Sequence, residues 1–252
     1  MKRSRDTELR QTVALSTRDV DALSFVGEGF EVLQYQLHEA VFPGLSEAVV
    51  SRFVRRWERR GVLLITRLNK LGPNRLRLAA AGRALLEKRG VDGRYLFAPR
   101  SPVALKDLAH TAWINDLRVL LRFVPRPFDA VLPAWALQRQ LVPPTAAIPD
   151  VLAVRTPRSG AIGFVLACEV DLGAERVKSV FVPKLIKLRH VLVGWSEESS
   201  TMLLVLTRGS RRAGLLREAV LAIDMPIVVE ELPTEGGRQG LHELRKRFQM
   251  AF

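Results

Sequence analysis

The chain has 252 residues and carries 39 Lys and Arg against 26 Asp and Glu, which gives a formal net charge of +13. This length allows one large or two small domains, and a single cysteine, Cys168, excludes a disulfide scaffold and a cysteine-based zinc site. No uncharged apolar run reaches the roughly 18 residues of a membrane helix, and the charged start leads into no apolar signal segment. We therefore expect a cytoplasmic globular protein with a polyanionic partner. Nucleic acid is the preferred partner class, and an anionic membrane is the second.

The first hundred residues predict three helices, a hairpin and a closing helix. A first helix begins after Thr17, a second spans Val32–Val41, and a third is capped by Ser46 and ends at Gly61. After Gly61 the period of the apolar residues changes from that of a helix to that of strands, and a polar turn separates the two strands. The remaining predicted elements are strands at 62–68 and 75–78 and a helix at 79–88.

The third predicted helix has a cationic side. Its arginines recur at spacings of three and four, which places them on one face. They are Arg52, Arg55, Arg56, Arg59 and Arg60. An apolar stripe that includes Phe53, Val54 and Trp57 occupies the other side. A solvated surface helix is the alternative, but the hairpin that follows favours a nucleic-acid role.

This order of elements resembles the winged-helix DNA-binding superfamily over about residues 17–90. The segment VVSRFVRRWERRGVLL is similar to a recognition helix followed by a glycine and the start of the wing. The resemblance implies that this helix enters the major groove through the five arginines, while the wing contacts the backbone or the minor groove. Its implied wing contacts are Lys70, Asn74 and Arg75. A winged helix used only for protein contacts remains the alternative.

The second half alternates between strand and helix patterns after a stretch at 90–102 that contains Gly, Arg and Pro. An amphipathic helix spans Leu105–Phe123. The predicted strands are Ala130–Leu141 (with a break at Pro133), Ile148–Arg155, Gly163–Asp171, Thr201–Thr207 and Pro226–Glu231, and the predicted helices are Ala174–Val193 (restarted or kinked at Pro183), Gly214–Ile223 and Gly240–Phe252. This order predicts an α/β (α+β) fold with a mixed sheet. We expect two domains, 1–98 and 102–252.

Acidic residues stand at the ends of two apolar strands. Asp150 opens one strand, and Glu169 and Asp171 close the next, on one face because side chains repeat every two residues. If these strands form a hairpin around 157–160, Asp150 lies opposite Glu169, since both are about equally far from the turn. Clustered carboxylates repel one another without a cation, and their oxygens suit Mg²⁺ or Mn²⁺.

These motifs resemble those of known nucleases. Pro149-Asp150 and the segment CEVD at Cys168–Asp171 are similar to the P-D…(D/E)-x-K nuclease motif. With the helix HTAWINDLRVLL at His110–Leu121 and the winged helix, the chain resembles the plasmid replication-relaxation family from about residue 17 to 232. The resemblance implies a restriction-endonuclease-like α/β domain, a role in plasmid or mobile-element replication or relaxation, and a bacterial nucleoid- or plasmid-associated location.

One position departs from the nuclease motif. The motif has a lysine two residues after the glutamate, where this chain has Asp171, so a lysine from the next helix has to replace it. The resemblance then implies Asp150, Glu169 and Asp171 as catalytic residues and ligands of Mg²⁺ or Mn²⁺, with Lys184 as the catalytic cation. Because of the departure, we favour a degenerate nuclease-like domain that serves binding.

We therefore expect a duplex-DNA-binding protein with no membrane partner. An active metal-dependent endonuclease or nickase is one alternative. A winged-helix transcriptional regulator with a ligand- or partner-binding C-terminal domain is another. A homodimer and a protein partner of the C-terminal domain stay open, as does His110, which is either a structural residue or a metal ligand or acid–base group.

Overall fold

A computed structural model describes residues 15–67, 73–124, 128–140, 147–156, 163–194 and 199–251. The first half contains α1 (Thr17–Glu28), β1 (Val32–Leu33), α2 (Gln34–Val41), α3 (Glu47–Arg59), β2 (Leu63–Arg67), β3 (Asn74–Leu78) and α4 (Ala80–Glu87). The second half contains α5 (Leu105–Arg122), β4 (Ala130–Pro133), α6 (Ala134–Gln140), β5 (Val151–Arg155), β6 (Gly163–Asp171), α7 (Val182–Val193), β7 (Ser199–Thr207), α8 (Ser210–Val220), β8 (Ile227–Glu231) and α9 (Gly237–Ala251). None of the helices described combines the length and apolarity that a membrane-spanning segment needs.

The first half carries a small antiparallel sheet of strand order β1-β3-β2. Val32 and Leu33, expected in the second helix, instead pair with β3, because both are apolar and become buried there. The first helix is capped by Ser16, one residue before the expected cap, through a reciprocal capping box with Asp19. It also runs through Gly27, where a Cβ would come within 2.9 Å of the side chains of Leu78 and Leu96.

The second half is built on a five-stranded mixed sheet, as the sequence predicts, and the structure gives its strand order as β4-β5-β6-β7-β8. Strands β4, β5 and β6 pair antiparallel, and β6, β7 and β8 pair parallel. The central strand β6 is buried on both faces. Leu166, Cys168 and Val170 face the core that includes α5, and Ala167 faces α7 and α8. The residues of β6 that carry charge are therefore held in a rigid, water-poor setting.

Two elements of the second half are divided at the prolines where the sequence predicts a break, but the first continues as a helix and the second begins irregularly. The predicted strand 130–141 ends at Pro133, where the chain turns into helix α6, because proline has no N–H with which to extend the ladder. The predicted helix 174–193 begins as a π-helical turn at Val177–Phe181. Pro183 then lies in the first turn of α7, where a missing N–H costs nothing.

The two halves share one apolar core that passes from α1–α4 through α5 to β6. Polar side chains of α5 reach back into the first half: Asn115 donates to the carbonyls of Gly29 and Glu31, and Arg118 pairs with Glu28 at 2.8 Å. The division into domains at 1–98 and 102–252 stays a prediction.

Candidate functional site

Helix α3 separates an apolar side from a cationic side. Val50, Phe53, Val54 and Trp57 are buried in the core of the first half. The arginines on the opposite side are exposed, and four of them form no salt bridge within the part of the chain that the structure describes. These four are Arg52, Arg55, Arg59 and Arg60. They are free to neutralise an external anion.

Arg56 differs from its neighbours because it has an internal partner. Its guanidinium pairs with Asp19 of α1 and lies over the rings of Phe53 and Trp57, at 5.5 and 5.1 Å from their centroids. The indole of Trp57 donates to the same carboxylate at 3.2 Å. Arg56 therefore fixes α3 against α1, and part of its charge is compensated.

The hairpin places the predicted wing residues in different environments. Asn74 is half-buried and donates to Gln34 at 2.7 Å. Arg75 is a correction to the expected wing contacts: it is 2% exposed and pairs with Glu31, because β3 faces the interior at that position. Lys70 lies outside the described residues. The hairpin thus contributes at most Asn74 among the described candidates.

The hairpin formed by β5 and β6 brings Asp150 beside Glu169. Val151 pairs with Cys168, so the preceding residue, Asp150, comes opposite Glu169, as the equal arms predict. One carboxylate oxygen of Asp150 accepts from the amide of Val170 at 2.8 Å and lies 3.2 Å from Nε2 of His110. The pair therefore lies between α5 on one side of the sheet and α7 on the other.

Lys184 reaches this pair from α7. Its Nζ donates to Oε2 of Glu169 at 2.5 Å, and its side chain stays 34% exposed while that of Glu169 is fully buried. The other carboxylate oxygen of Glu169, Oε1, is buried and has no hydrogen-bond partner within the described residues. Leaving a buried acceptor without a donor is costly.

Burial and neighbouring charges shift the pKa values of Glu169, Lys184 and His110. Burial, followed by the nearby charge of Asp150, raises the pKa of Glu169 to about 8, against the opposing effect of Lys184. For Lys184, burial lowers the pKa, but the charges of Glu169 and Asp150 outweigh it, so that its pKa is raised. The hydrogen bond to Asp150 raises the pKa of His110 despite its partial burial. Glu169, Lys184 and His110 therefore form one electrostatically coupled group around Asp150.

Asp171 does not join this pair, which corrects the expected three-carboxylate cluster. Its carboxylate accepts from Thr207 at 2.8 Å and pairs with Arg212 of α8. Among the residues described, no group of three or more His, Cys, Asp or Glu is placed to hold a metal ion. The donors that remain, Asp150 and the free oxygen of Glu169, fit the one or two carboxylates with which Mg²⁺ is held when water and phosphate complete its shell.

Sequence reasoning missed a buried polar group in the middle of α5. Asn115, Asp116 and Arg118 are all about 1% exposed or less. Asp116 accepts from the hydroxyl of Tyr35 at 2.9 Å and from Gln36 of α2 at 2.8 Å, and so lies apart from His110. A signal was present, because Asn115 continues the spacing of the apolar residues Leu108 and Ala112.

Comparison with known proteins finds no relative of this chain: no family model, no curated protein and no solved structure matches it.

Proposed function

We propose that the protein binds duplex DNA through α3 and the β2–β3 hairpin, acting as a winged helix. The observation that carries this proposal is the row of four exposed arginines without acidic partners on α3. A helix that fits the major groove and carries such a row can neutralise several phosphates, and contacts of this kind dominate affinity for DNA. Arg56 is the positioning residue that holds the helix against α1.

The arginine row gives the first testable prediction. Replacing Arg52, Arg55, Arg59 and Arg60 together by Ala should weaken binding of a labelled duplex strongly, because the variant neutralises fewer phosphates and releases fewer counterions. The slope of log affinity against log salt should fall by about one for each phosphate that is no longer neutralised, measured by fluorescence anisotropy at several salt concentrations.

A charge-matched variant provides the control. Replacing Lys88, Arg89, Arg100 and Lys106 by Ala removes the same number of charges from exposed positions between the end of α4 and the start of α5. An unchanged salt slope in the α3 variant would contradict the proposed interface, as would an equal loss of affinity in the control.

The second half supports a further candidate, a nuclease-like domain linked to plasmid or mobile-element replication or relaxation. The observation that favours it is Lys184, which reaches Glu169 from α7 and so replaces the lysine that the motif places two residues after the glutamate. Asp150 and Glu169 are the residues that would hold Mg²⁺ or Mn²⁺. The ion, when bound, supplies a Lewis acid for phosphodiester hydrolysis.

The residues around the carboxylates have separate parts in this candidate. Lys184 holds Oε2 of Glu169, which leaves Oε1 for a ligand, and its partly exposed ammonium can also be approached by a phosphate. His110 and the amide of Val170 fix the orientation of Asp150. A degenerate domain would keep the fold and the DNA contact but lack hydrolysis.

Metal binding and plasmid nicking together distinguish an active nuclease from a degenerate domain that only binds. In wild type, Mg²⁺ or Mn²⁺ should raise the melting temperature by mass action, and Asp150→Asn with Glu169→Gln should abolish that shift. Lys184→Met should keep the shift but abolish any nicking of supercoiled plasmid, whereas Lys187→Met, one turn further on an exposed face, should match wild type.

The outcomes of this test are distinct. A metal shift without nicking identifies a binding-only domain. The absence of any shift at millimolar metal, together with the absence of nicking, contradicts a metal site at Asp150 and Glu169.

A further inference from the structure

A second cationic surface lies where β6 and β7 end. We call it the rim surface and define it by four residues that are exposed and form no salt bridge or side-chain hydrogen bond among the residues described: Arg176, Lys178, Arg208 and Arg211. It belongs neither to α3 nor to the carboxylate pair, and neither proposal above uses it.

The two segments that carry the rim surface are joined by Asp171 and Arg212. Arg212 pairs with the carboxylate of Asp171 and also donates to the carbonyl of Glu175 at 2.6 Å. The amide of Arg208 donates to the carbonyl of Asp171 at 3.1 Å. The loop after β6 and the start of α8 therefore form one continuous surface.

Few acids lie within the two segments that carry the rim surface, and Glu231 of β8 lies beside Thr207 at the same end of the sheet. Asp171 is already neutralised by Arg212, which leaves Glu175 as the exposed acid within these two segments. The first turn of α8 adds the partial positive charge of a helix N-terminus. Four free cations on one edge favour a ligand with several separated anionic groups over a single small anion.

The rim surface also lies next to the carboxylate pair. Glu169 precedes Asp171 by two residues on β6, on the same face of the sheet. The charge of Glu175, in the rim loop, contributes to the raised pKa of Lys184. A chain of phosphates that crosses the rim would therefore pass close to Lys184.

We propose that the rim surface binds the phosphate backbone of nucleic acid as a second contact, separate from α3. The proposal shares its partner class with the proposed function and rests on it in that respect. The contact is one of backbone charge, so it positions the nucleic acid without reading its sequence.

The test uses the full chain with Arg176, Lys178, Arg208 and Arg211 replaced by Ala. Arg212 stays in place, so the end of the sheet keeps its ion pair and the melting temperature should match wild type. The salt slope for duplex binding should fall by up to about four, and affinity should fall with it. Combined with the α3 variant, the decreases should add, because the two surfaces share no residue.

The control is again the variant that replaces Lys88, Arg89, Arg100 and Lys106, which are exposed elsewhere on the molecule. Equal loss of affinity in this control, or wild-type affinity and slope in the rim variant, overturns the proposal whatever the α3 variant does. A loss of affinity in the rim variant with none in the α3 variant supports the rim surface and contradicts the proposed role of α3.

An anionic lipid surface is the competing partner, because Val180 and Leu215 are exposed on the same layer of helices. Sedimentation with phosphatidylcholine vesicles, with and without phosphatidylserine, tests it. If the rim variant loses vesicle binding and keeps wild-type DNA affinity, the surface binds lipid and the proposal is wrong.

Discussion

Replacing Glu31 by Ala should lower the free energy of unfolding by about 3–5 kcal/mol, the range typical of breaking a buried ion pair from one side. Glu31 is 2% exposed and pairs with Arg75, which is equally buried, and with Arg77 at 3.6 Å. It also accepts from the amide of Val103 at 3.1 Å. Without it, two interior guanidinium groups lose their counter-charge. Urea denaturation followed by circular dichroism measures the decrease.

An exposed ion pair in the same half provides the comparison. Glu87 pairs with Arg83 one helical turn away on α4, and both side chains are exposed. Glu87→Ala should therefore cost no more than about 0.5 kcal/mol. Glu31→Gln, which keeps the shape and removes the charge, should fall between the two. A decrease below about 1 kcal/mol for Glu31→Ala would contradict the importance given to this buried carboxylate.

Asp116→Asn should make the protein less sensitive to alkaline conditions. Burial raises the pKa of Asp116 to about 7, against the opposing hydrogen bonds from Gln36 and Tyr35. The unfolded value is near 3.9, so the folded pKa is the higher one. The neutral acid is therefore favoured by folding, and its stabilising contribution, complete below about pH 4, is lost as pH rises through 7.

The measurement is the unfolding free energy of wild type and variant at a series of pH values. Relative to Asp116→Asn, wild type should lose up to a few kcal/mol between about pH 4 and 8, since one pKa unit corresponds to about 1.4 kcal/mol. Asp107→Asn, an exposed change in the first turn of the same helix, should leave the wild-type profile unchanged. Parallel profiles for wild type and Asp116→Asn would show that Asp116 does not titrate in this range.

The features that local patterns determine could be predicted from the sequence. The apolar stripe and arginine row of α3 follow from helical spacing, and both are present. The bounds of β6 and the position of Asp150 opposite Glu169 follow from strand alternation and from equal hairpin arms. In each case, residues close in sequence carry the signal.

The remaining features depend on partners that are distant in the chain. Arg75 looked like an exposed wing residue because its partner, Glu31, precedes it by 44 positions. Asp171 looked like a metal ligand because Arg212, which pairs with it, is 41 positions away. A charged side chain is buried or exposed according to such pairings, and periodicity contains no information about them.

Hydrogen bonds from the first half hold the segment between α4 and α5. Arg77 donates to the carbonyls of Pro99 and Arg100, Arg75 donates to that of Val103, and Glu31 receives the amide of Val103. Together with the contacts of Asn115 and Arg118 and the shared apolar core, these hydrogen bonds favour a constant separation between α3 and the edge of the large sheet. If α3 binds duplex DNA as proposed, the distance along the duplex between the contact of α3 and any contact of the sheet would then be fixed. Any contact that the sheet makes would fall at a set number of base pairs from the sequence under α3, whatever the DNA between them.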